Sequence, residues 1–166
     1  SLGPRPDADF MSTPLVVNGR LYSTAGFRRD AVCLDAGTGE LLWMHTYDEG
    51  ERLGSRGGPG LGLGYWTDGT NERVVYVTRG YSMFSLDART GLPDPAFGTN
   101  GMVDLRLDDD QVIDPHRGVI GLHAPPLVVR DTVVAGAAPT IYAKGYVRGF
   151  DVRTGKGKWI FDTVPL

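Results

Sequence analysis

Apolar residues along the chain fall in short runs that are separated by turn residues. The segments TPLVVNGRLY (13–22) and PPLVVRDTVV (125–134) each place two apolar runs around a polar pair such as Asn18-Gly19. A pair of this kind between two runs predicts a tight turn that joins antiparallel strands. The segment 73–87 keeps only the second run. We therefore predict a chain of short β-hairpins.

A second pattern recurs in three places and defines a repeat. Each copy has Asp, then Thr and Gly three and four positions later; the copies are CLDAGTGELLW (33–43), SLDARTGLPDP (85–95) and GFDVRTGKGKW (149–159). The Asp carboxylate accepts hydrogen bonds from the N–H groups that follow it, and Gly adopts the positive φ that closes the turn. Trp ends the first and third copies, whereas Pro95 ends the second.

Units of about 40 to 50 residues with four strands each are typical of propeller blades. We therefore predict an all-β chain that forms a partial β-propeller of about three four-stranded antiparallel blades, with repeats over roughly 11–52, 63–108 and 123–166. Closed propellers have about four to eight blades, and three blades would leave apolar outer faces uncovered. We expect the chain to be part of a larger, eight-bladed propeller whose remaining blades are its partners.

Composition narrows the class of protein without identifying it. The 166 residues include 24 glycines and 11 prolines, which suits a chain with many turns, and the net charge is -3. The 17 basic residues form no cluster, so nucleic acid is not an expected partner. Cys33 is the only cysteine and lies in an apolar run. We interpret it as a small buried residue, with a reactive thiol as the alternative.

The glycine-rich run GSRGGPGLGLGYW (54–66) raises the question of a phosphate-binding loop. A dinucleotide fingerprint needs glycines at the spacing G-x-G-x-x-G, but the third glycine would fall on Leu63 or Tyr65. A P-loop needs Lys followed by Ser or Thr, and Tyr65-Trp66 stands there instead. We therefore interpret the run as a segment between two blades, whose glycines let the backbone pass close to a flat ligand.

The repeat resembles the tryptophan-docking motif of the quinoprotein propellers, the dehydrogenases that use pyrroloquinoline quinone (PQQ). In that family the Trp packs between neighbouring blades. Four further segments are similar to successive stretches of the PQQ alcohol and sugar dehydrogenases: GLGYWTDG (62–69), AFGTNGMVDL (96–105), IGLHAPPLVV (120–129) and YVRGFDVRTGKGKWIFDTVP (146–165). The resemblance covers nearly the whole chain.

The resemblance implies a reaction and a location. We expect a periplasmic dehydrogenase that holds PQQ over the propeller channel and oxidises an alcohol or an aldose, with a quinone or a cytochrome as electron acceptor. A Ca²⁺ ion would polarise the quinone carbonyl while hydride moves from the substrate to the quinone. The catalytic Asp and the aromatic residue that stacks on PQQ are expected in later blades, so no catalytic residue is assigned in this chain.

Cofactor-binding residues are assigned by the same resemblance. Relatives place a PQQ-binding Arg where this chain has Leu61, and Arg56 either substitutes for it or is a solvated loop residue. His123 stands where relatives often have a Thr that contacts PQQ, with a structural histidine as the alternative. The backbone that we expect beside the cofactor belongs to Ala138, Pro139 and Thr140.

Three positions support a different hypothesis, a propeller that binds protein partners and has lost its cofactor. Met11 replaces a Glu or Gln, Leu61 replaces an Arg, and Ile141 lies near the place of a metal-binding carboxylate. No metal ligand is therefore assigned. The segment FRR (27–29) lies between two predicted strands. We interpret it as a solvent-facing hairpin tip, with a role in lining the entrance as the alternative.

Overall fold

The computed structural model describes residues 12–26, 28–50, 61–108, 124–137 and 145–163. In these ranges twelve β-strands form three four-stranded antiparallel sheets, and no α-helix is present. Consecutive strands pair within each sheet, so each sheet is an up-and-down meander. No helix in the described part of the chain is long and apolar enough to cross a lipid bilayer. The prediction of an all-β chain built from propeller-like blades is confirmed.

Each sheet uses four strands that follow one another along the chain. The first sheet contains β1 (Leu15–Val17), β2 (Arg20–Ala25), β3 (Asp30–Asp35) and β4 (Leu41–His45). The second contains β5 (Gly64–Thr67), β6 (Glu72–Val77), β7 (Ser82–Asp87) and β8 (Met102–Asp104). The third contains β9 (Leu127–Val129), β10 (Thr132–Gly136), β11 (Tyr146–Asp151) and β12 (Gly157–Asp162).

The Asp-Thr-Gly turns have the predicted chemistry. In the first turn, Asp35 Oδ1 accepts hydrogen bonds from the N–H groups of Gly37 (2.9 Å) and Thr38 (2.8 Å) and from the Thr38 hydroxyl (3.0 Å). These bonds, above all the one from the Thr38 backbone, favour the charged carboxylate and lower the pKa of Asp35. Gly39 closes the turn with φ +74°. The second and third copies repeat this pattern.

Two apolar clusters fill the spaces between the sheets. The cluster between the first and second sheets includes Tyr22, Cys33, Trp43, Tyr76 and Phe84. The cluster between the second and third sheets includes Trp66, Phe97, Val133, Tyr146 and Phe150. Burying one such side chain contributes about 1.5 to 3 kcal/mol. Because each cluster draws residues from two sheets, much of the stability of a sheet comes from its neighbour.

Trp43 fills the junction between the first and second sheets. Its indole N–H donates to the Ala88 carbonyl oxygen at 3.1 Å, and the Tyr22 hydroxyl donates to the same oxygen at 3.1 Å. A Cβ built on Gly91 would lie 2.6 Å from the indole ring, so glycine is required there. Trp43 is 9% exposed. It therefore packs against the Asp-Thr-Gly turn of the next sheet, as the resemblance implies.

Arginine replaces tryptophan at the junction between the second and third sheets. Pro95 ends the second copy, and Arg73 on β6 donates to the carbonyl oxygens of Val152 (3.1 Å) and Arg153 (3.0 Å). Arg73 also pairs with Asp94. Val152 follows Asp151 as Ala88 follows Asp87. Its carbonyl is therefore the counterpart of the Ala88 carbonyl, which accepts the Trp43 N–H at the first junction. Arg73, which pairs with Asp94 of its own repeat, therefore adds two hydrogen bonds across the second junction to the packing of the apolar cluster.

The outer strand of the third sheet, β12, is exposed along its whole length. Trp159 is 46% exposed and lies over Gly149 of its own sheet, where an added Cβ would lie 2.7 Å from the indole Cζ2. Ile160 and Phe161 are also exposed. Trp159 ends the third copy as Trp43 ends the first. The docking residue is therefore present on this sheet, but no described sheet lies against it.

Candidate functional site

The sheets have two opposite ends with different chemistry. Each Asp-Thr-Gly turn follows the last residue of β3, β7 or β11, so these turns share one end. At the other end, β2, β6 and β10 finish. The strand β5 begins at this end too, because its first residue, Gly64, pairs with Val75 near the end of β6. We call this end the tip edge. Its described residues include 24–26, 28–30, 46–50, 61–63, 78–82 and 136–137.

Most of the predicted cofactor residues lie outside the described residues. They are Arg56, His123, Ala138, Pro139 and Thr140, and the same holds for Met11 and Ile141. In sequence, residues 138–140 directly follow Ala137 at the tip edge. The assignment of these residues stays a prediction.

Leu61 lies at the tip edge, three residues before β5 begins at Gly64. It is partly buried and packs against the cluster between the second and third sheets. The next residue, Gly62, donates its N–H to Thr24 Oγ1 at 3.0 Å and forms a bridge with Thr13 of the first sheet's chain segment. A Cβ on Gly62 would lie 2.5 Å from the Thr13 carbonyl oxygen. At Gly62 the glycine run therefore packs directly against the chain of the first sheet. Leu61, the residue before it, supplies no charge at this edge.

A group of buried charged residues at the tip edge is absent from the sequence-based assignment. Arg29, Glu49 and Arg79 are 6%, 6% and 8% exposed. The neighbouring Arg28 does face solvent, with a side chain that is 44% exposed and lies 3.7 Å from an Asp48 oxygen. The prediction of a solvent-facing tip is therefore wrong for Arg29. Its left-handed backbone (φ 58°) turns the two adjacent side chains in different directions.

Glu49 connects the first sheet to the tip of the second. It follows β4, and its Oε2 accepts the Gly80 N–H at 2.6 Å. Its Oε1 accepts the Thr78 hydroxyl and, at 3.3 Å, the Ser82 hydroxyl. A Cβ on Gly80 would lie 2.6 Å from the Glu49 carboxyl carbon. Glycine is thus required for this approach, and the carboxylate is fixed by groups of the next sheet.

Arg29 is held in a desolvated position close to other charges. The pKa of Arg29 is lowered to about 10, mainly by burial and also by the positive charge of Arg79, while the charge of Glu49 acts in the opposite direction. Arg29 nevertheless stays charged at neutral pH. Asp30, the next residue, does not pair with it. Burial raises the pKa of Asp30, while a hydrogen bond from Thr46 and the charge of Arg28 act against that rise.

Other titratable groups of the described residues have structural roles. His45 Nδ1 lies 2.8 Å from the Tyr76 hydroxyl, and burial lowers the pKa of His45, which favours the neutral ring. Cys33 is buried, and burial raises the pKa of its thiol, which agrees with the interpretation as an inert residue. The described ranges contain no group of three His, Cys, Asp or Glu side chains that could hold a metal ion. They therefore offer no Ca²⁺ site.

Comparison with protein families gives one match across almost the whole chain. The family model described as "Glucose/ethanol/alcohol dehydrogenase, beta-propeller domain", named for PQQ, matches residues 3–166. The dehydrogenase subunit of the quinone alcohol dehydrogenase of Gluconobacter oxydans (strain 621H) is 30% identical over 156 residues. That alignment covers 92% of this chain and 19% of the relative. The chain thus spans about a fifth of the length of this relative.

Two solved structures are similar to the chain. The quinohemoprotein alcohol dehydrogenase ADHIIG from Pseudomonas putida HK5 superposes with a TM-score of 0.68 at 28% identity, covering 92% of this chain and 20% of that one. BamB from Moraxella catarrhalis superposes with a TM-score of 0.53 at 21% identity, covering 97% of this chain and 37% of that one. At that identity the likeness to BamB concerns the fold alone.

Proposed function

This chain belongs to the PQQ β-propeller family of glucose, ethanol and alcohol dehydrogenases, and we propose that it forms part of an enzyme that oxidises an alcohol or an aldose by hydride transfer to PQQ. The observation that carries the proposal is the family match over residues 3–166, which includes every element of the tip edge. A propeller fold by itself does not specify an activity. The chemistry of the tip edge is therefore the structural support.

The tip edge fits an anionic, flat cofactor. Arg29 is buried and charged, and its Nε and Nη1 find no acceptor among the described residues. Such donors favour a ligand with carboxylate groups, which PQQ has.

The described residues bind and orient; they transfer no proton in this proposal. Arg29 and Arg79 place positive charge at the tip edge. Glu49 fixes the position of the second sheet's tip relative to the first. Leu61 adds apolar surface that excludes water from the edge. When bound, PQQ supplies the acceptor for the substrate hydride. Ca²⁺ has no ligand set among the described residues, and no step here depends on it.

We further propose that the chain is part of a longer propeller in the periplasm, with a quinone or a cytochrome as electron acceptor. The exposed Trp159 on β12 and the far greater length of the relatives support the longer propeller. Osmotic-shock fractionation of cells that express the full-length protein tests the location. Recovery in the cytoplasmic fraction alone would contradict it.

The enzymatic proposal is tested on the full-length protein. The apo form is loaded with PQQ and Ca²⁺ and assayed with an artificial electron-acceptor dye on a panel of alcohols and aldoses. We expect dye reduction that requires both PQQ and a substrate; omission of PQQ is the control. A protein that binds no PQQ and reduces no dye would contradict the proposal.

A second candidate function is a propeller that binds protein partners without a cofactor. Leu61 favours it, because an apolar residue occupies the place of the PQQ-binding arginine of relatives. This function predicts no quinone absorbance after loading. It also predicts retention of a partner protein that does not change when PQQ is added.

A further inference from the structure

Arg29 has unused hydrogen-bonding capacity at the tip edge. Its Nε and Nη1 nitrogens are buried and find no acceptor among the described residues. Nearly all buried N–H groups in native proteins are bonded, and an unbonded charged group is costlier than an unbonded neutral one. A ligand that offers acceptor oxygens at this position would therefore be stabilised.

The charge balance around Arg29 indicates the kind of ligand. Glu49 is already engaged by the Thr78, Gly80 and Ser82 donors. Arg79 is a second buried guanidinium close enough to lower the pKa of Arg29. Two guanidinium groups therefore act on this part of the edge, in surroundings where charges interact strongly. A carboxylate is an acceptor that forms strong charge-assisted hydrogen bonds with a guanidinium.

The backbone of Arg29 shows that its side chain is held inward at a cost. Arg29 has φ 58°, a conformation that glycine or asparagine adopts more readily. Tyr81 occupies the same place in the second sheet with φ 70°, and its hydroxyl donates to the Gly136 carbonyl oxygen of the third sheet at 3.0 Å. In the second sheet the residue with the left-handed backbone, Tyr81, thus directs its hydroxyl at a hydrogen-bond partner in the next sheet. Strain of this kind concentrates at binding sites.

We propose that Arg29, with Arg79 as the neighbouring charge, binds a carboxylate group of a ligand seated on the tip edge of the first and second sheets. Arg29 supplies positive charge at the edge where Leu61 supplies none. The identification of this ligand with PQQ rests on the proposed function. The preference for a carboxylate rests on the buried, charged Arg29 and its unused donors.

The first test measures PQQ binding to the apo full-length protein by equilibrium dialysis. Arg29→Met removes the charge and keeps most of the side-chain bulk, and Arg28→Met is the control at the exposed neighbouring position. We expect Arg29→Met to weaken PQQ binding about 10- to 100-fold, as the loss of a hydrogen bond between charged groups predicts. The control stays within about twofold of wild type. Equal affinity of Arg29→Met and wild type would overturn the proposal.

The trimethyl ester of PQQ separates charge from shape. The ester keeps the ring system and removes the carboxylate charges, so it should bind wild type and Arg29→Met equally. If Arg29→Met weakens binding of the ester as much as binding of the acid, the side chain acts through packing and the proposal is wrong.

Thermal unfolding tests the carboxylate site without PQQ. Arg29→Met removes a buried guanidinium whose Nε and Nη1 find no acceptor among the described residues, so the variant's Tm without ligand should equal or exceed that of wild type. An arginine with a purely structural role would give a lower Tm. Sodium acetate, at constant ionic strength, should raise the Tm of wild type more than that of the variant. If wild type binds no PQQ but shows this acetate effect, the proposed function fails and the carboxylate site stands. The proposal is overturned if wild type binds PQQ and Arg29→Met binds it equally well, or if neither PQQ nor acetate distinguishes the two proteins.

Discussion

Trp43 leaves no room for a methyl group at position 91, since a Cβ on Gly91 would lie 2.6 Å from the indole Cδ2. Gly91 also has φ +73°, which costs an L-residue about 1 to 2 kcal/mol. We expect Gly91→Ala to lower the free energy of unfolding by about 2 to 5 kcal/mol, because overpacking adds about 1 to 3 kcal/mol to the backbone cost. Urea unfolding of the full-length protein measures this loss.

Gly39→Ala is the matched control for that variant. Gly39 has the same position in the first turn with φ +74°, and nothing lies within 4 Å of its added Cβ. We expect only the backbone cost of about 1 to 2 kcal/mol. Equal losses in the two variants would show that the contact between Trp43 and Gly91 does not hold the two sheets together.

Trp159→Ala tests whether another sheet covers the third one. In a longer propeller Trp159 docks as Trp43 does, so we expect both alanine variants to lose about 3 to 5 kcal/mol of unfolding free energy in the full-length protein. Urea unfolding of the two variants measures the losses side by side. A loss below about 1 kcal/mol for Trp159→Ala, beside a full loss for Trp43→Ala, would count against the longer propeller.

Arg73 and Asp94 are expected to be strongly coupled. Their side chains are 14% and 16% exposed, and Arg73 also holds two carbonyl groups of the third sheet. A double-mutant cycle with Arg73→Met and Asp94→Asn should give a coupling energy of about 1 to 3 kcal/mol. The exposed pair Arg28 and Asp48 is the comparison, with about 0.2 to 1 kcal/mol expected. Similar coupling in both cycles would mean that Asp94 does not position Arg73 for its bonds to the third sheet.

Asp68 should make the stability depend on pH in the acid range. Hydrogen bonds from the backbone N–H groups of Asn71 and Thr70 lower the pKa of Asp68 to about 2. The pKa in the unfolded chain is about 3.9, so the stabilisation is complete above about pH 5 and is lost as the pH falls toward 2. We expect Asp68→Asn to lose less stability than wild type between about pH 5 and pH 2. Urea unfolding midpoints of both proteins across this pH range measure the difference. Parallel plots of the midpoint against pH would refute the prediction.

The turns and strands could be predicted because their determinants are local. Asp35 bonds Thr38 within a single turn, so the repeat in the sequence is also a repeat of hydrogen bonds. The docking of Trp43 followed from the family resemblance. The loss of Trp from the second copy was visible at Pro95. Its replacement by Arg73 was not, because Arg73 lies on β6 and Pro95 lies in the turn region after β7.

The buried charges at the tip edge could not be predicted in the same way. Arg28 and Arg29 are identical residues in adjacent positions, and only contacts with distant Glu49 and Arg79 distinguish them. One signal was available: Arg29 stands six residues before Asp35, as Tyr81 does before Asp87. Aligning the copies at this position pairs the arginine with a large aromatic residue, which favours an inward side chain. The assignments of His123 and residues 138–140 concern parts outside the described residues.

The bond between Trp43 and Ala88 also bears on how the protein is made. The two residues are 45 positions apart in sequence, so on a ribosome that adds about 5 to 20 residues per second, Trp43 emerges roughly 2 to 9 seconds before its acceptor. The first sheet therefore spends that interval with an uncovered aromatic face. During synthesis from the amino terminus, each sheet is covered only when the following sheet has been made. A pause in translation after Trp43 would prolong the period in which chaperones bind this exposed face or the chain aggregates through it.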